Sequence, residues 1–475
     1  MAGGDNHALF VTSKGELWGM GENSNGQLGR DGKSFHSLAW RIVPSGVIKV
    51  SAHGGDWSEH SAFIKSDGSL WTMGSNQYGQ LGENNSTTSR FSPYRVEPND
   101  VIDVAAGRFH TVYVKSDGSL WGMGRNDYSQ LGTSISKTNI ATAPIKIIDS
   151  GIRKVFAGPG STVFIKEDGS LWQMGLSVNG PLSETPQQNG ATKLVDGGVV
   201  SVSVGGEYNY QAFMLFLKND GSVYSWGRNN HGQLGLGNTP SISGSPQLLL
   251  NAGGLAVAAG EMHSLAVKDD GSLWSAGANY DGQLASSDNN NTNTLTRVID
   301  GGITLVTATS RASYYAKTEQ LPWSVGDNDH GQLGIGAITD THHLPTQVKP
   351  VTFHAPNVNV VAGSTYTFTA HQENAQAYQW YKNGILIPGA TQSTLSITNF
   401  SSADMAKYSL AVTINGITTM SGALELLYNQ GVLWSTSLDR KIESGVAIDY
   451  NGTIFVAGGS GELNTLFALN GNTGE

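Results

Sequence analysis

The chain has 475 residues, of which 38% are hydrophobic and only 14% charged, with a formal net charge of −10. No Lys/Arg run supplies the basic stripe of a nucleic-acid binder, and the absence of cysteine excludes disulfides, zinc thiolate sites and cysteine nucleophiles. No apolar run approaches the roughly 18–20 residues that span a bilayer as a helix, and no charged-then-apolar leader opens the chain, so a secretion signal is expected upstream of Met1 if the parent is exported.

In chain order, the first recognisable segment is "GELWGMGENSNGQLG" from Gly15. It returns as "GSLWTMGSNQYGQLG" from Gly68, "GSLWGMGRNDYSQLG" from Gly118 and "GSLWQMGLSVNGPLS" from Gly169. "GSVYSWGRNNHGQLG" from Gly221, "GSLWSAGANYDGQLA" from Gly271 and "QLPWSVGDNDHGQLG" from Gln320 complete the series. The glycine three places after the aromatic falls at Gly21, Gly74, Gly124, Gly175, Gly227, Gly277 and Gly326, at intervals of 49 to 53 residues. A steady period near fifty means that each copy is one supersecondary unit of a repeat architecture.

Each copy reads as β. Thr111 to Lys115 alternate with the period of a strand, Ser116-Asp117-Gly118 supply a hairpin turn, and Leu120 to Gly124 form the return strand. With a looser strand such as "SPYRVEP" and the run "VIDVAAG", each unit has about four strands. Seven such sheets arranged radially make an all-β chain with a seven-bladed β-propeller. The "GMG" glycines are not a phosphate loop, because no helix follows them and only two copies hold both. They are expected to mark close backbone approach near the propeller axis. Trp18, Trp71, Trp121, Trp172, Trp274 and Trp323, with Tyr224 in the fifth copy, are expected to pack one blade on the next. The segment 344–350, "LPTQVKP", is expected to pair with the Met1 end and close the ring.

The pattern "G-x-x-H-(S/T)" followed by "D-G-x-(L/V)-(W/Y)-x-x-G-x-N-x-x-G-Q-L-G", best seen at Gly107 to Gly132 and Gly260 to Leu284, resembles the regulator-of-chromosome-condensation repeat. The resemblance covers about residues 1–350 and implies the seven-bladed fold. Copies four and seven depart from it, with Ser161 in place of histidine and Thr309-Ser310 before the seventh second strand.

Residues 351–428 resemble a bacterial immunoglobulin-like domain, an expected β-sandwich. Trp380 fits its core tryptophan, and Asp404-x-Ala406-x-Tyr408 fits the tyrosine corner. Ala370 and Leu410 occupy the places of the usual inter-sheet disulfide. Residues 429–475, with "GTIFVA", "LFALN" and "TGE", resemble one blade of a pyrroloquinoline-quinone-type propeller repeat. That implies an incomplete second propeller, and no quinone chemistry is inferred from it.

Little in the chain points to catalysis. His7, His60, His110 and His263 recur in phase, but each belongs to its own blade, and each is expected to bond backbone there rather than share a metal. The Asp-Gly carboxylates are turn residues first. No nucleophile elbow, zinc-protease helix motif or phosphate loop is present, so the chain is read as non-enzymatic and without cofactor.

The variable letters of the repeats are the candidate binding positions: Tyr78, Tyr128, His231, Tyr280 and His330 near the Gly-Gln turns, and Trp57, Phe109 and Met262 in the "G-x-x-H" loops. Tyr208 lies in an insertion of the fifth copy. Aromatic side chains on rigid loops are common interface anchors, and about half of these are expected to be exposed. The reading is a non-catalytic, monomeric binding scaffold of an exported bacterial protein, taking a protein or glycan partner on one propeller face, outside the cell or on its surface. The alternative implied by the resemblance is guanine-nucleotide exchange on a small GTPase, although no basic tail or long wedge insertion is present.

Overall fold

The computed structural model describes the chain except for residues 31–34, 54–57, 87–88, 133–138, 177–189, 207–211, 238–241, 287, 318–320, 337, 339–340, 352–357, 362, 371–374, 415–416, 421–423, 430–441, 449–453, 459–464 and 470–475. Trp57 and Tyr208 therefore lie outside the described residues. Two compact units divide the chain. The first takes in Met1–Phe353 with His371–Gln376 and Val412–Gly422, and the second takes the rest.

Among the described residues of the first unit the strands form seven sheets in chain order, each built on four antiparallel strands side by side as they occur in sequence, with one short later strand added to the first sheet. The third sheet shows why. Val101–Ala106, His110–Lys115, Leu120–Arg125 and Ile140–Ile148 are its strands. Between the second and third, Asp117 accepts the Ser119 N–H at 2.9 Å and Gly118 takes a φ of +76°, which makes the reversal a self-contained turn. Between the third and fourth, Asn126 Oδ1 accepts the Leu131 N–H at 2.7 Å, and Gln130 Oε1 accepts the Tyr128 N–H at 2.9 Å. These bonds tuck Leu131 into full burial. The letters that recur are those that satisfy their own loop's backbone.

The first strand of each sheet is innermost. Residues 49–53, 104–106, 155–157, 202–206, 259–261 and 307–310, with 1–5 of the first sheet, line one cavity of about 310 Å³. The molecule is thus a β-propeller around a channel. Apolar clusters fill the seams between successive sheets. Ile64 and Leu70 of the second sheet, for example, meet Val104 and Tyr113 of the third. Phe10, Trp18 and Met20 of the first sheet meet Tyr314, Leu333 and Val348 of the seventh, which closes the circle.

Two expectations are corrected here. Thr341–Gln347 pairs with Trp323–Asp327 as the outer strand of its own sheet, not with the Met1 end. Closure comes instead from Pro350–Val351, which runs parallel to Ala39–Trp40, and from the Ala39 N–H bond to the Lys349 carbonyl. The repeated glycines also lie away from the axis, on the third strand. Gly124 has a φ of +104°, and a Cβ there would strike the Phe109 carbonyl. Its demand is local backbone conformation rather than crowding at the channel. Gly124→Ala is expected to cost about 1–3 kcal/mol of stability, read from urea unfolding.

Trp121 serves its own sheet and the seam together. Its ring stacks on Tyr113 with centroids 6.4 Å apart and lies 4.6 Å under the Lys115 ammonium. Its Nε1–H donates to Ser119 Oγ at 2.9 Å, and it borders the cluster shared with the second sheet.

In the C-terminal part of the chain Ala406–Ile414 lies between Ala377–Lys382 and Leu424–Asn429 in one sheet, while Val358–Val361 runs parallel to the last. Tyr366–Thr369 and Thr394–Ile397 form a separate pair. Trp380 is fully buried against Phe368 at 5.3 Å, and the Tyr408 hydroxyl donates to the Asp404 carbonyl at 3.1 Å. Ala370 and Leu410 are both buried. Further on, Ile442–Ile448, Ile454–Gly458 and Thr465–Leu469 form a three-stranded antiparallel meander.

Candidate functional site

In every sheet of the first unit the start of the second strand pairs with the repeated glycine near the end of the third. His7 pairs with Gly21, His60 with Gly74, His110 with Gly124, and His263 with Gly277. The same pairing joins Ser161 to Gly175, Phe213 to Gly227 and Ala312 to Gly326. The loops before these residues and the Gly-Gln loops therefore open on one face, and the Asp-Gly hairpins point to the other.

Beneath that face the histidines do something the sequence reading did not foresee. Each reaches into the next sheet rather than bonding its own. His7 Nε2 lies 2.9 Å from Ser61 Oγ, His60 Nε2 2.8 Å from Thr111 Oγ1, His110 Nε2 3.1 Å from Thr162 Oγ1, and His263 Nε2 2.9 Å from Ser313 Oγ. Ser61 and Thr111 in turn donate to the Gln27 and Gln80 carbonyls, so the hydroxyl can only accept from the ring. All four rings are fully buried. Burial pushes His60, His110 and His263 down to about 3, with His53 adding to the effect at His60 and His110.

Glu59 breaks the pattern. Its carboxylate is buried and accepts from His7 Nδ1 at 2.8 Å, Gln27 Nε2 at 2.7 Å and Asn6 N at 2.8 Å. Burial alone would raise this carboxyl, but the His7 ring and the two amide donors outweigh it and hold it below the usual range. The available signal was that "SEH" puts a glutamate where the other repeats have Asn6, Phe109, Gly160, Ala212, Met262 and Arg311.

On the face itself Tyr78 and Phe109 meet edge to face at 4.9 Å. The Arg125 guanidinium stands 5.1 Å from the first ring and 5.2 Å from the second, and Arg108 lies 5.4 Å from Phe109. Arg125 also pairs with Asp127. Phe109 is buried, and Tyr78 and Tyr128 are half-buried, the latter against Gly160. Across the ring, His231 and Tyr280 contact edge to face at 6.3 Å. Tyr280 is 58% exposed, while His231, Met262 and His330 are half-buried. His330 Nε2 stands 4.0 Å from Glu22.

Among the seven described candidates, then, Tyr280 alone is exposed, fewer than expected. Tyr78, Phe109, Tyr128 and His231 pack on neighbouring residues, because an aromatic ring on a short loop gains more by covering its neighbour than by facing water. Sequence reasoning missed Arg125 and Arg311. Arg311 bridges Asp327 at 2.7 Å and Asp281 at 3.7 Å, and burial raises both carboxyls. Trp40, outside the repeated position, is buried beneath Arg30 at 3.7 Å.

The repeat that builds this face has known counterparts. The regulator of chromosome condensation (RCC1) repeat matches residues 67–114, 117–165, 220–267 and 323–370. A second form of the same repeat matches 1–27, 47–80, 101–130, 199–233 and 255–283, and together the matches cover more than half of the chain. This chain is an RCC1-repeat protein. The E3 ubiquitin-protein ligase HERC2 of Mus musculus is 27% identical over 282 residues, covering 55% of this chain and 6% of that protein. The ultraviolet-B receptor UVR8 of Arabidopsis thaliana is 31% identical over 249 residues, 50% of this chain and 54% of the receptor. The RCC1-repeat chain thus spans about half of the receptor and a small part of the ligase.

Among solved structures, Prp20p from Saccharomyces cerevisiae aligns with a TM-score of 0.61 at 20% identity, over 72% of this chain and 87% of its own. Human WBSCR16 aligns with a TM-score of 0.57 at 22% identity, over 67% and 86%. These likenesses establish the fold. Among the described residues no group of three or more histidines and carboxylates could hold a metal, and no helix is long and apolar enough to cross a membrane.

Proposed function

We propose that the first unit is a seven-bladed RCC1-type propeller acting as a non-catalytic docking module for a protein or glycan partner. Its docking surface is the face that carries the Gly-Gln loops. One observation carries this reading: strand register brings both variable loop families of each sheet to that face. There Tyr78, Tyr128 and Tyr280 stand on loops pinned by their own Asn and Gln side chains. Anchors that are already ordered lose little entropy on binding.

The same reading takes residues 351–428 as an immunoglobulin-like sandwich, supported by the buried Trp380 and the Tyr408 corner bond. Residues 429–475 are taken as part of a quinoprotein-type repeat without quinone chemistry. The parent is read as a monomeric, exported bacterial protein that acts at or outside the cell surface. Tyr128→Ala with Tyr280→Ala should weaken partner capture at least tenfold and leave the melting temperature within about 2 °C. Unchanged capture by the double variant overturns the choice of face.

A second reading, nucleotide exchange on a small GTPase, draws on the likeness to Prp20p, whose structure is reported with its binding to Gsp1p and histones. A nucleotide-release assay against small GTPases decides it.

A further inference from the structure

The seams between sheets one and two and between sheets two and three are built from equivalent side chains. In the first, His7 Nε2 meets Ser61 Oγ at 2.9 Å, Ser61 donates to the Gln27 carbonyl at 2.9 Å, and Gln27 Oε1 accepts the Asn25 N–H at 3.0 Å. In the second, His60 Nε2 meets Thr111 Oγ1 at 2.8 Å, Thr111 donates to the Gln80 carbonyl at 2.8 Å, and Gln80 Oε1 accepts the Tyr78 N–H at 2.9 Å.

One element differs. In the first seam His7 Nδ1 and Gln27 Nε2 converge on a single carboxylate oxygen, Glu59 Oε2. At the position of Glu59 the second seam has Phe109, whose ring turns to Tyr78 instead. His60 Nδ1 and Gln80 Nε2 are left without hydrogen-bond partners although both residues are fully buried. An unmet buried polar group costs on the order of 1–3 kcal/mol. Elsewhere among the described residues the equivalent atoms stand open only singly, at His110, His263 and Gln332.

We propose that the seam between sheets two and three is a carboxylate-binding site, in which an external carboxylate bridges His60 Nδ1 and Gln80 Nε2 beneath Phe109 as Glu59 bridges His7 and Gln27. The charge balance follows from the geometry. Thr111 donates its proton to the Gln80 carbonyl, so His60 Nε2 must be the N–H and Nδ1 a bare lone pair. A carboxylate can bond Nδ1 only if that nitrogen is protonated, so each ligand enters with one proton. The other ionisable groups acting on His60 are His53 on the paired strand and His7 and His110 across the neighbouring seams. The guanidinium groups of the buried Arg108 and the half-buried Arg125 lie 5.4 and 5.2 Å from the Phe109 ring and add positive charge above the site. This proposal stands apart from the docking reading, since it concerns the interior of the seam.

The test is a titration of the full chain with acetate and, separately, with a short peptide bearing one central glutamate, followed by calorimetry and by His60 ring resonances. Saturable binding that strengthens about tenfold per pH unit between pH 7 and 5, with protonation of His60, supports the site. Acetate alone then marks a small free acid as the ligand, and both probes together mark the side chain of a partner. His60→Phe, which copies Phe213 of the fifth sheet, should fold and lose binding at least tenfold. Phe109→Glu should occupy the site from within the chain, protonate His60 without ligand and abolish acetate binding. No saturable binding of either probe at any of these pH values, or His60→Phe binding as tightly as the native chain, overturns the proposal and leaves an ordered water as the occupant.

Discussion

Glu59→Ala is expected to destabilise the propeller by about 3–5 kcal/mol, because it leaves the buried His7 ring facing an unfilled, unpaired site. Glu59 has three donors within 2.8 Å and links two sheets, so the loss falls on a seam rather than on one loop. Equilibrium urea unfolding of the first unit measures it. The double variant His7→Phe with Glu59→Met should recover most of the loss, since replacing both hydrogen-bonded partners with apolar groups also removes their desolvation cost. The fifth sheet already uses Phe213 at the histidine position with no loss of burial. A single variant within 0.5 kcal/mol of the native chain would show that the carboxylate contributes no net stability.

Stability should also fall steeply in acid, and the sign can be worked out group by group. His60, His110 and His263 titrate near 3 when folded against about 6.5 when unfolded. Below pH 6.5 the unfolded chain binds the protons and the folded chain does not, so each histidine destabilises by about 1.4 kcal/mol per pH unit as pH falls toward 3. Glu59 adds to the trend at the lower end. Its folded carboxyl is depressed, so its contribution is intact above the unfolded value near 4.3 and is lost as pH drops through the folded one. Urea midpoints at pH 7, 6 and 5 should decline progressively, and His263→Gln should flatten the slope by about one proton. A pH-independent midpoint over this range would contradict neutral buried rings.

Much of the architecture is legible in the sequence because it is written in short-range bonds. Asp117 with Ser119, and Asn126 with Leu131, close their turns over two and five residues, so the letters recur wherever the turn recurs. The β-branched and apolar runs of Val101–Ala106 and His110–Lys115 read as strand for the same local reason. Cross-seam partners do not read this way. His110 finds Thr162 at a separation of 52 residues, and only the closed ring brings them together. For the same reason the histidines were expected to bond their own sheet, and the glycines were placed at the axis when they sit on the third strand. The candidate face was legible as variable positions within fixed ones. Exposure was not, since Phe109 disappears beneath Tyr78 and Arg125 through packing between neighbouring sheets.

By itself the sequence determined the repeat and its period, the turns and strands of each unit, and the variable positions of its loops, because all of these rest on contacts within one fifty-residue unit. The tertiary structure decided which sheet each histidine serves, how Pro350–Val351 closes the circle, and that Glu59 fills one seam while its neighbour keeps two buried polar atoms unmet. Those facts depend on side chains from different repeats meeting in a buried seam. There a single missing oxygen has a large energetic effect, and nothing in either repeat alone records it.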